Sequence, residues 1–274
     1  MRRYWNESAG QEWVGLEEEF ERALAPVGTE LLRRAGARPG ERVLDVGCGL
    51  GGTTLEVARA VGAGGRVMGL DISAPMLVRA RQRAVEAGLA NIDWRDGDAQ
   101  DAVLPVRYFD LIVSRFGVMF FDNPEAAFDN LCGSAKSGGR LYFSCWQSTA
   151  TNTWFTLAAR TLAPFVEVPS PSEGPGPFAL ADPERVLHLI EAAGFVDVEI
   201  DDFRLTMVQG GHRGIDGAID QMLRGPVAAA LGAAPPKTRQ AGFDALRAAI
   251  SLHVEDGEVR FPAATWMVNA RAPG

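Results

Sequence analysis

The chain has 274 residues, enough for one sizeable core with a small appendage, and its 47% hydrophobic and 23% charged content is that of a globular protein. Its 27 basic and 35 acidic residues leave a formal net charge of -8 with no strongly basic run, which argues against nucleic acid as a partner because phosphate neutralisation drives such binding. No apolar run is long enough to span a bilayer and the polar start MRRYWNESAG leads into no signal-like segment, so no membrane span and a cytoplasmic location are expected.

Helical periodicity runs from about Glu12 to Gly36, and ARPG (37–40) ends it. ERVLDVGC reads as a short buried strand, GGTTLEVARAVGAGG as a helix closed by glycines, and RVMGLDI as the next strand. SAPMLVRARQRAVEAGL is a helix with Ser73 as N-cap and Pro75 in its first turn. NIDWRDGDA is a third, more polar strand with its exit loop. YFDLIVSRFGVMFF contains a fourth strand, NPEAAFDNLCGSAKSGG a helix, and RLYFSCWQ a fifth strand. Strands alternating with helices from about residue 40 to 146 predict an α/β fold with a parallel, doubly wound sheet. Beyond it, NTWFTLAARTLAPFVEVP looks helical and SPSEGPGPF is a loop. DPERVLHLIEAAG is a helix opened by Asp182 and Pro183, and FVDVEIDDFRL alternates as a strand. Residues 211–254 read as mostly helical with a break near GAAPPK. VRFPAATWMVNAR closes the chain as a strand whose beginning Pro262 assigns to an edge or a bulge.

The stretch VLDVGCGLGG poses the functional question. Gly47, Gly49 and Gly52 satisfy G-x-G-x-x-G, while Gly47, Gly49 and Gly51 satisfy G-x-G-x-G. Both patterns hold a ligand by a tight turn and close backbone approach, and neither alone names it. Asp45, two residues before the turn, opposes a pyrophosphate by like charge and favours a cation. S-adenosylmethionine carries an ammonium and a sulfonium and no phosphate. Asp45 either helps to fix its methionyl end, directly or through water or backbone, or orients the turn.

Asp71 ends the second strand, where a carboxylate can take both ribose hydroxyls. Dinucleotide folds use the same device, so Asp71 supports an adenosine ligand without choosing between cofactors. Asp98 in DGDA is placed to accept from the adenine amino group, with the Ala99 backbone at a ring nitrogen; a plain Asx-turn is the competing reading. Ile72, Met76 and Val103 are candidates for the faces of adenine, Met76 equally for the core. Backbone near Ser114 is a candidate for the methionyl part. Arg115 suits a carboxylate of cofactor or substrate, an acid of a lid, or a surface ion pair.

Phe116, Phe120, Phe121, Trp146 and Trp154 are candidates for an aromatic acceptor pocket, with core packing as the competing role. Arg115, Phe116, Trp146 and Trp154 are the expected substrate contacts. His188 reads as helix surface or packing and His253 as a helix C-cap, which leaves His212 in QGGHRG as the candidate base, with Tyr4 second. Cys48, Cys132 and Cys145 fit neither a disulfide framework nor a metal cluster, and no metal is expected.

Taken in order, VLDVGCGLG, GLDIS, DGDA, FDLIVSRFGVMFF and SGGRLYFSCW resemble the motifs of the class I S-adenosylmethionine-dependent methyltransferases over residues 40–146. The resemblance implies a Rossmann-like seven-stranded sheet, order 3-2-1-4-5-7-6 with strand seven antiparallel, carrying helical lid insertions. It places Asp45, Gly47 and Gly49 at the methionyl end, Asp71 at the ribose, and Asp98 with Ala99 at adenine. YWNESAGQEW is similar to the start of a small-molecule branch that includes ubiquinone/menaquinone-biosynthesis-like enzymes. That similarity implies an N-terminal helix over the cofactor, with Tyr4, Trp5 and Trp13 in the lid and Trp13 among the cofactor contacts. No catechol-type acid set and no Asn/Asp-Pro-Pro-Tyr signature is seen.

The expected organisation is an N-terminal helical lid segment (1–36) and an S-adenosylmethionine-binding core (37–146). A helical and loop insertion returning to the sheet (147–205), a substrate-side helical insertion (206–258) and a terminal strand (259–274) follow. The expected activity is methyl transfer from S-adenosylmethionine, leaving S-adenosylhomocysteine, to an oxygen or carbon of a small secondary or quinone-type metabolite. A homodimer through lid or edge-strand surfaces is compatible with the chain. The alternatives are an NAD-dependent oxidoreductase, a non-catalytic adenosyl-binding protein, and a protein methyltransferase.

Overall fold

The computed structural model describes residues 1–7, 9–168 and 174–274; Ser8 and part of the expected Pro/Gly/Ser loop, residues 169–173, lie outside them. Strands β1 (Arg42–Val46), β2 (Arg66–Asp71), β3 (Ile92–Asp96), β4 (Phe109–Arg115) and β5 (Ala135–Trp146) are parallel. Strand β6 (Val196–Gln209) lies at the edge and is antiparallel to β8 (Glu258–Arg271), which is also antiparallel to β5. The spatial order is β3-β2-β1-β4-β5-β8-β6. That is the expected order, with a two-residue β7 (Val254–Glu255) added. Strand β7 pairs with the start of β8 around Asp256 and Gly257, which take φ of 52° and 81°. This is a tight Asp-Gly hairpin.

Helices α1 (Arg2–Glu7), α2 (Ala9–Gly15) and α3 (Glu17–Ala35) precede β1. The expected single helix from Glu12 is therefore broken at Leu16. Helices α4 (Gly52–Val61), α5 (Ala74–Glu86) and α6 (Pro124–Ser134) make the crossovers of the parallel part. Asn123 caps α6 by accepting from the Ala126 N–H at 3.0 Å. Strand alternation divides the core. Val43, Leu111 and Val113 pack on Val57, Ala58 and Val61 of α4. Leu44, Ile112, Leu141 and Phe143 belong to the cluster that holds Phe128 and Leu131 of α6. Asp45 shares the α4 side with Val43, a placement that decides its role below.

Helices α7 (Thr153–Leu162) and α8 (Pro183–Ala192) follow β5, and α8 is opened by Asp182, whose side chain accepts from the Glu184 N–H at 3.0 Å. Helices α9 (Gly214–Met222), α10 (Gly225–Ala233) and α11 (Pro236–Ser251) lie between β6 and β7. Strands β6 and β8 extend past the end of β5. On that extension Ala158, Ala218, Leu246 and Ile250 pack with Val259 and Phe261. Pairing of β8 with β5 begins only at Thr265, so Pro262 sits where one side of β8 has no strand neighbour. The Asn152 side chain takes the missing strand's place. Its Nδ2 donates to the Ala264 carbonyl and its Oδ1 accepts from the Ala264 N–H, both at 2.9 Å. Among the described residues no helix is long and apolar enough to cross a membrane, and no group of metal-ligating side chains is found.

Candidate functional site

The glycine turn joins β1 to α4 at the carboxyl edge of the sheet. Gly47 has φ of 66°, and a Cβ there would come 2.6 Å from the Gly117 Cα, so the β1 and β4 exits touch backbone to backbone. Gly49 and Gly51 are also left-handed, at 53° and 82°. The Gly47 and Cys48 N–H groups donate to the Leu70 carbonyl at 2.8 and 3.2 Å, and the Gly49 N–H donates to Asp71 Oδ2 at 2.7 Å. The turn is thereby tied to the end of β2.

Asp45 lies behind this turn, 1% exposed, and does not reach the cleft wall. Its Oδ2 accepts from the Thr54 hydroxyl at 2.6 Å, while its Oδ1 has no partner among the described residues. Burial pushes its pKa up to about 7, against the lowering effects of the Thr54 bond and the Arg115 charge. An orphaned carboxylate oxygen directly under a turn is a place where positive charge is stabilised.

A cleft of about 950 Å³, part of it open to solvent, lies above the turn. Gly47, Gly49, Asp71, Ile72, Met76, Asp98, Ala99, Arg115, Phe116 and Trp13 all line it. Asp71 Oδ1 also accepts from the Ser73 N–H at 2.8 Å, and burial pushes its pKa up to about 6 despite these backbone bonds. Asp98 faces the cleft while its Oδ1 accepts from the Gln100 N–H at 3.1 Å, so the Asx-turn and the cleft position coexist. Burial raises the pKa of the Cys48 thiol, which makes it a packing residue rather than a nucleophile.

Other candidates fall elsewhere. Val103 is fully exposed and lies outside the cleft wall. Ser114 is buried, donates to the Val46 carbonyl at 2.7 Å and accepts from the Gly117 N–H at 3.2 Å, so it braces the turn from below. Trp146 stacks on the far side of Phe116 with centroids 4.2 Å apart, and Trp154 meets Trp146 edge-on at 5.2 Å. These two tryptophans support Phe116 and are not on the wall. Phe116 itself has φ of 65°, a strained backbone held at the end of β4.

His212 also lies outside the cleft. Because β6 continues to Gln209, the turn carrying His212 packs against the start of α3, with the Gly211 backbone beside Glu19. The imidazole is 65% exposed, its Nδ1 3.5 Å from Glu18. Tyr4 is 52% exposed, meets Trp5 edge-on and is not on the wall either. Burial and the Glu12 charge raise the Tyr4 pKa, which makes the phenol a poorer base source. Among the described wall residues there is no histidine, tyrosine or lysine.

The N-terminal segment closes the cleft. Trp5 and Trp13 lie on its wall with Phe120, and Trp5 meets Phe120 edge-on at 5.1 Å. Ser73 is not the expected side-chain cap of α5, because its hydroxyl donates to the Trp5 carbonyl at 3.0 Å. Asn6 joins the N-terminal segment to the start of α5 instead. Its Oδ1 accepts from the Ala74 N–H at 2.9 Å and its Nδ2 donates to the Ile72 carbonyl at 2.7 Å. A Cβ on Gly10 would strike the Trp5 carbonyl and the Ser73 hydroxyl. Gly10→Val should therefore raise amide exchange across residues 2–15, with an overpacking cost of about 1–3 kcal/mol. Unchanged exchange in that segment would show that the seat of the lid lies elsewhere.

Residues not singled out from the sequence complete the wall, among them Glu21, Leu24, Thr53, Gly97 and Gly117. Glu21 ion-pairs with Arg115 at 3.0 Å and approaches Arg83 at 3.6 Å. Burial acts to raise its pKa, but the two arginines outweigh it and hold the carboxyl below its ordinary range. Its only sequence signal was a place in an acidic helix, which solvated faces share.

Residues 43–139 match the family described as "Methyltransferase domain". The chain is 37% identical over 121 residues to the aklanonic acid methyltransferase DauC of Streptomyces sp. (strain C5), covering 44% of this chain and 55% of that protein. It is 29% identical over 185 residues to the nocamycin O-methyltransferase of Saccharothrix syringae, covering 63% and 65% respectively. The matches thus span less than two thirds of either relative. Among solved structures, Haemonchus contortus phosphoethanolamine N-methyltransferase 2 in complex with S-adenosyl-L-methionine superposes with a TM-score of 0.61 at 16% identity. That match covers 100% of this chain and 60% of that one.

Proposed function

We propose, for a chain that belongs to the class I S-adenosylmethionine-dependent methyltransferases, the transfer of a methyl group to an oxygen or carbon of a small organic molecule. The observation that carries the donor is the acidic surround of the glycine turn. Asp45, two residues before the turn, has an unpartnered buried oxygen directly beneath it. A pyrophosphate would meet repulsion there, whereas a sulfonium with an ammonium would meet the opposite charge. In this reading Gly47 and Gly49 let the backbone approach the methionyl end, Asp71 holds the ribose, and Asp98 with Ala99 meets adenine between Ile72 and Met76.

The donor supplies an electrophilic methyl group. The chain aligns the two reactants and excludes water with Trp5, Trp13, Phe116 and Phe120. The acceptor is a small secondary or quinone-type metabolite of the cytoplasm, and the name of the nocamycin relative favours oxygen as the methylated atom. With no histidine, tyrosine or lysine on the described wall, the titratable groups there that can take a proton are the carboxylates of Glu21, Asp71 and Asp98.

Calorimetric titration with S-adenosylhomocysteine and with NAD tests the donor. Saturable binding of the first and none of the second is expected, and the reverse removes this reading. Transfer of labelled methyl to small acidic aromatic acceptors tests the reaction, and methylation of protein alone would move the chain to another substrate class.

A further inference from the structure

Glu21 and Arg115 reach the cleft from opposite sides. Glu21 projects from α3 of the N-terminal segment, and Arg115 is the last residue of β4. Both lie on the wall, with side chains 26% and 14% exposed, and their ion pair measures 3.0 Å. The Glu21 carboxylate sits beside the first residue of α4, where a Cβ on Gly52 would be 2.6 Å from Glu21 Oε1. Helix α4 has no side-chain cap at that end. Arg115 is the only cationic side chain among the described wall residues, and the other two wall acids, Asp71 and Asp98, each accept backbone N–H bonds.

An α-amino acid group is itself a paired anion and cation. It matches an existing carboxylate–guanidinium pair head to tail, each charge meeting its opposite. Arg83 stands 3.6 Å from Glu21 Oε1, so Glu21 keeps a counter-ion when Arg115 turns toward a ligand. That removes the usual cost of opening a part-buried ion pair.

We propose that Glu21 and Arg115 receive the amino-acid end of the donor, Glu21 taking the ammonium and Arg115 the carboxylate, so that the intact methionyl group bridges the start of α3 and the end of β4. This rests on the donor reading above. Its consequence is that the start of α3 responds to the amino-acid end of the donor. Glu17, on the same helix, bonds Arg79 at 2.6 Å and Arg83 at 3.2 Å, so movement of Glu21 is shared with α5.

The test compares S-adenosylhomocysteine with 5′-methylthioadenosine, which keeps the adenosyl thioether and lacks the amino-acid end. Both are titrated calorimetrically into the wild-type chain, Glu21→Gln and Arg115→Met. Each substitution should weaken S-adenosylhomocysteine binding by about tenfold or more, the loss of one charge-assisted hydrogen bond, and leave 5′-methylthioadenosine unchanged. Retained 5′-methylthioadenosine binding also shows that both variants are folded. Amide exchange across residues 17–35 should slow with S-adenosylhomocysteine and not with 5′-methylthioadenosine.

Equal losses for the two ligands, or no loss for S-adenosylhomocysteine, would overturn the proposal. Tighter S-adenosylhomocysteine binding by Glu21→Gln would do so too, since it would make Glu21 a competitor for the carboxylate seat. If both ligands bind the wild-type chain and only the variant pattern fails, the donor reading survives. If neither binds the wild-type chain, donor and proposal fall together.

Discussion

Asp71→Ala weakens S-adenosylhomocysteine binding by roughly a hundredfold or more, the expected loss of two hydrogen bonds to a charged group at ~1.5–3 kcal/mol each. The local cost adds to this. Asp71 holds the Gly49 N–H at 2.7 Å and the Ser73 N–H at 2.8 Å, so its removal frees the glycine turn and the start of α5 together. The lid is seated on that same start through Asn6 and Ser73. Isothermal titration of wild type and variant measures the effect. An unchanged dissociation constant would mean that the ribose is held elsewhere.

The second large effect is a pH-dependent stability that originates in Asp45. Its carboxyl rises from 3.8 to about 7 on folding, chiefly through burial. A folded pKa above the unfolded one means that the native state binds more protons between those values. The contribution is therefore fully present below about pH 4 and is lost as pH rises through 7, an amount on the order of 4 kcal/mol. Asp71, raised to about 6, adds a loss of the same sign that is complete at lower pH. Asp45→Asn stays neutral and can still accept from the Thr54 hydroxyl. Its melting midpoint should gain on that of wild type as pH rises from 5 to 8, by several degrees. Parallel melting profiles would show that Asp45 stays protonated or is solvated in the native chain.

How much of the site could be read in advance follows from how local each signal is. The turn residues Gly47 and Gly49 and the strand-end acid Asp71 belong to a strand–turn–helix unit whose geometry is written within a few neighbouring residues. Asp98 is equally local: it lines the cleft and also makes the Asx-turn. Asp45 reads from the sequence as an acid that opposes phosphate. Strand alternation turns it toward α4 and under the turn, off the cleft wall. Trp146 and Trp154, expected as substrate contacts, lie off the cleft wall and pack behind Phe116. His212 has the sequence pattern of a candidate base, a loop histidine beside glycines. The extra length of β6 carried it to the outer side of α3. Glu21 carried no signal, since an acidic residue in an acidic helix has the same pattern whether it faces water or a cleft.

The alternation of β1–β5 with their helices and the glycine turn with its acids are legible in the residues alone, and the antiparallel close of the sheet follows from the family resemblance. These depend on periodicity, turn chemistry and charge, which act between near neighbours. Which distant side chains meet is set by three-dimensional packing: Glu21 with Arg115 and Trp5 with Phe120 on the cleft wall, and Asn6 with the start of α5 beside it. Those pairings form between residues far apart in the chain, where burial, and not local propensity, selects the partner.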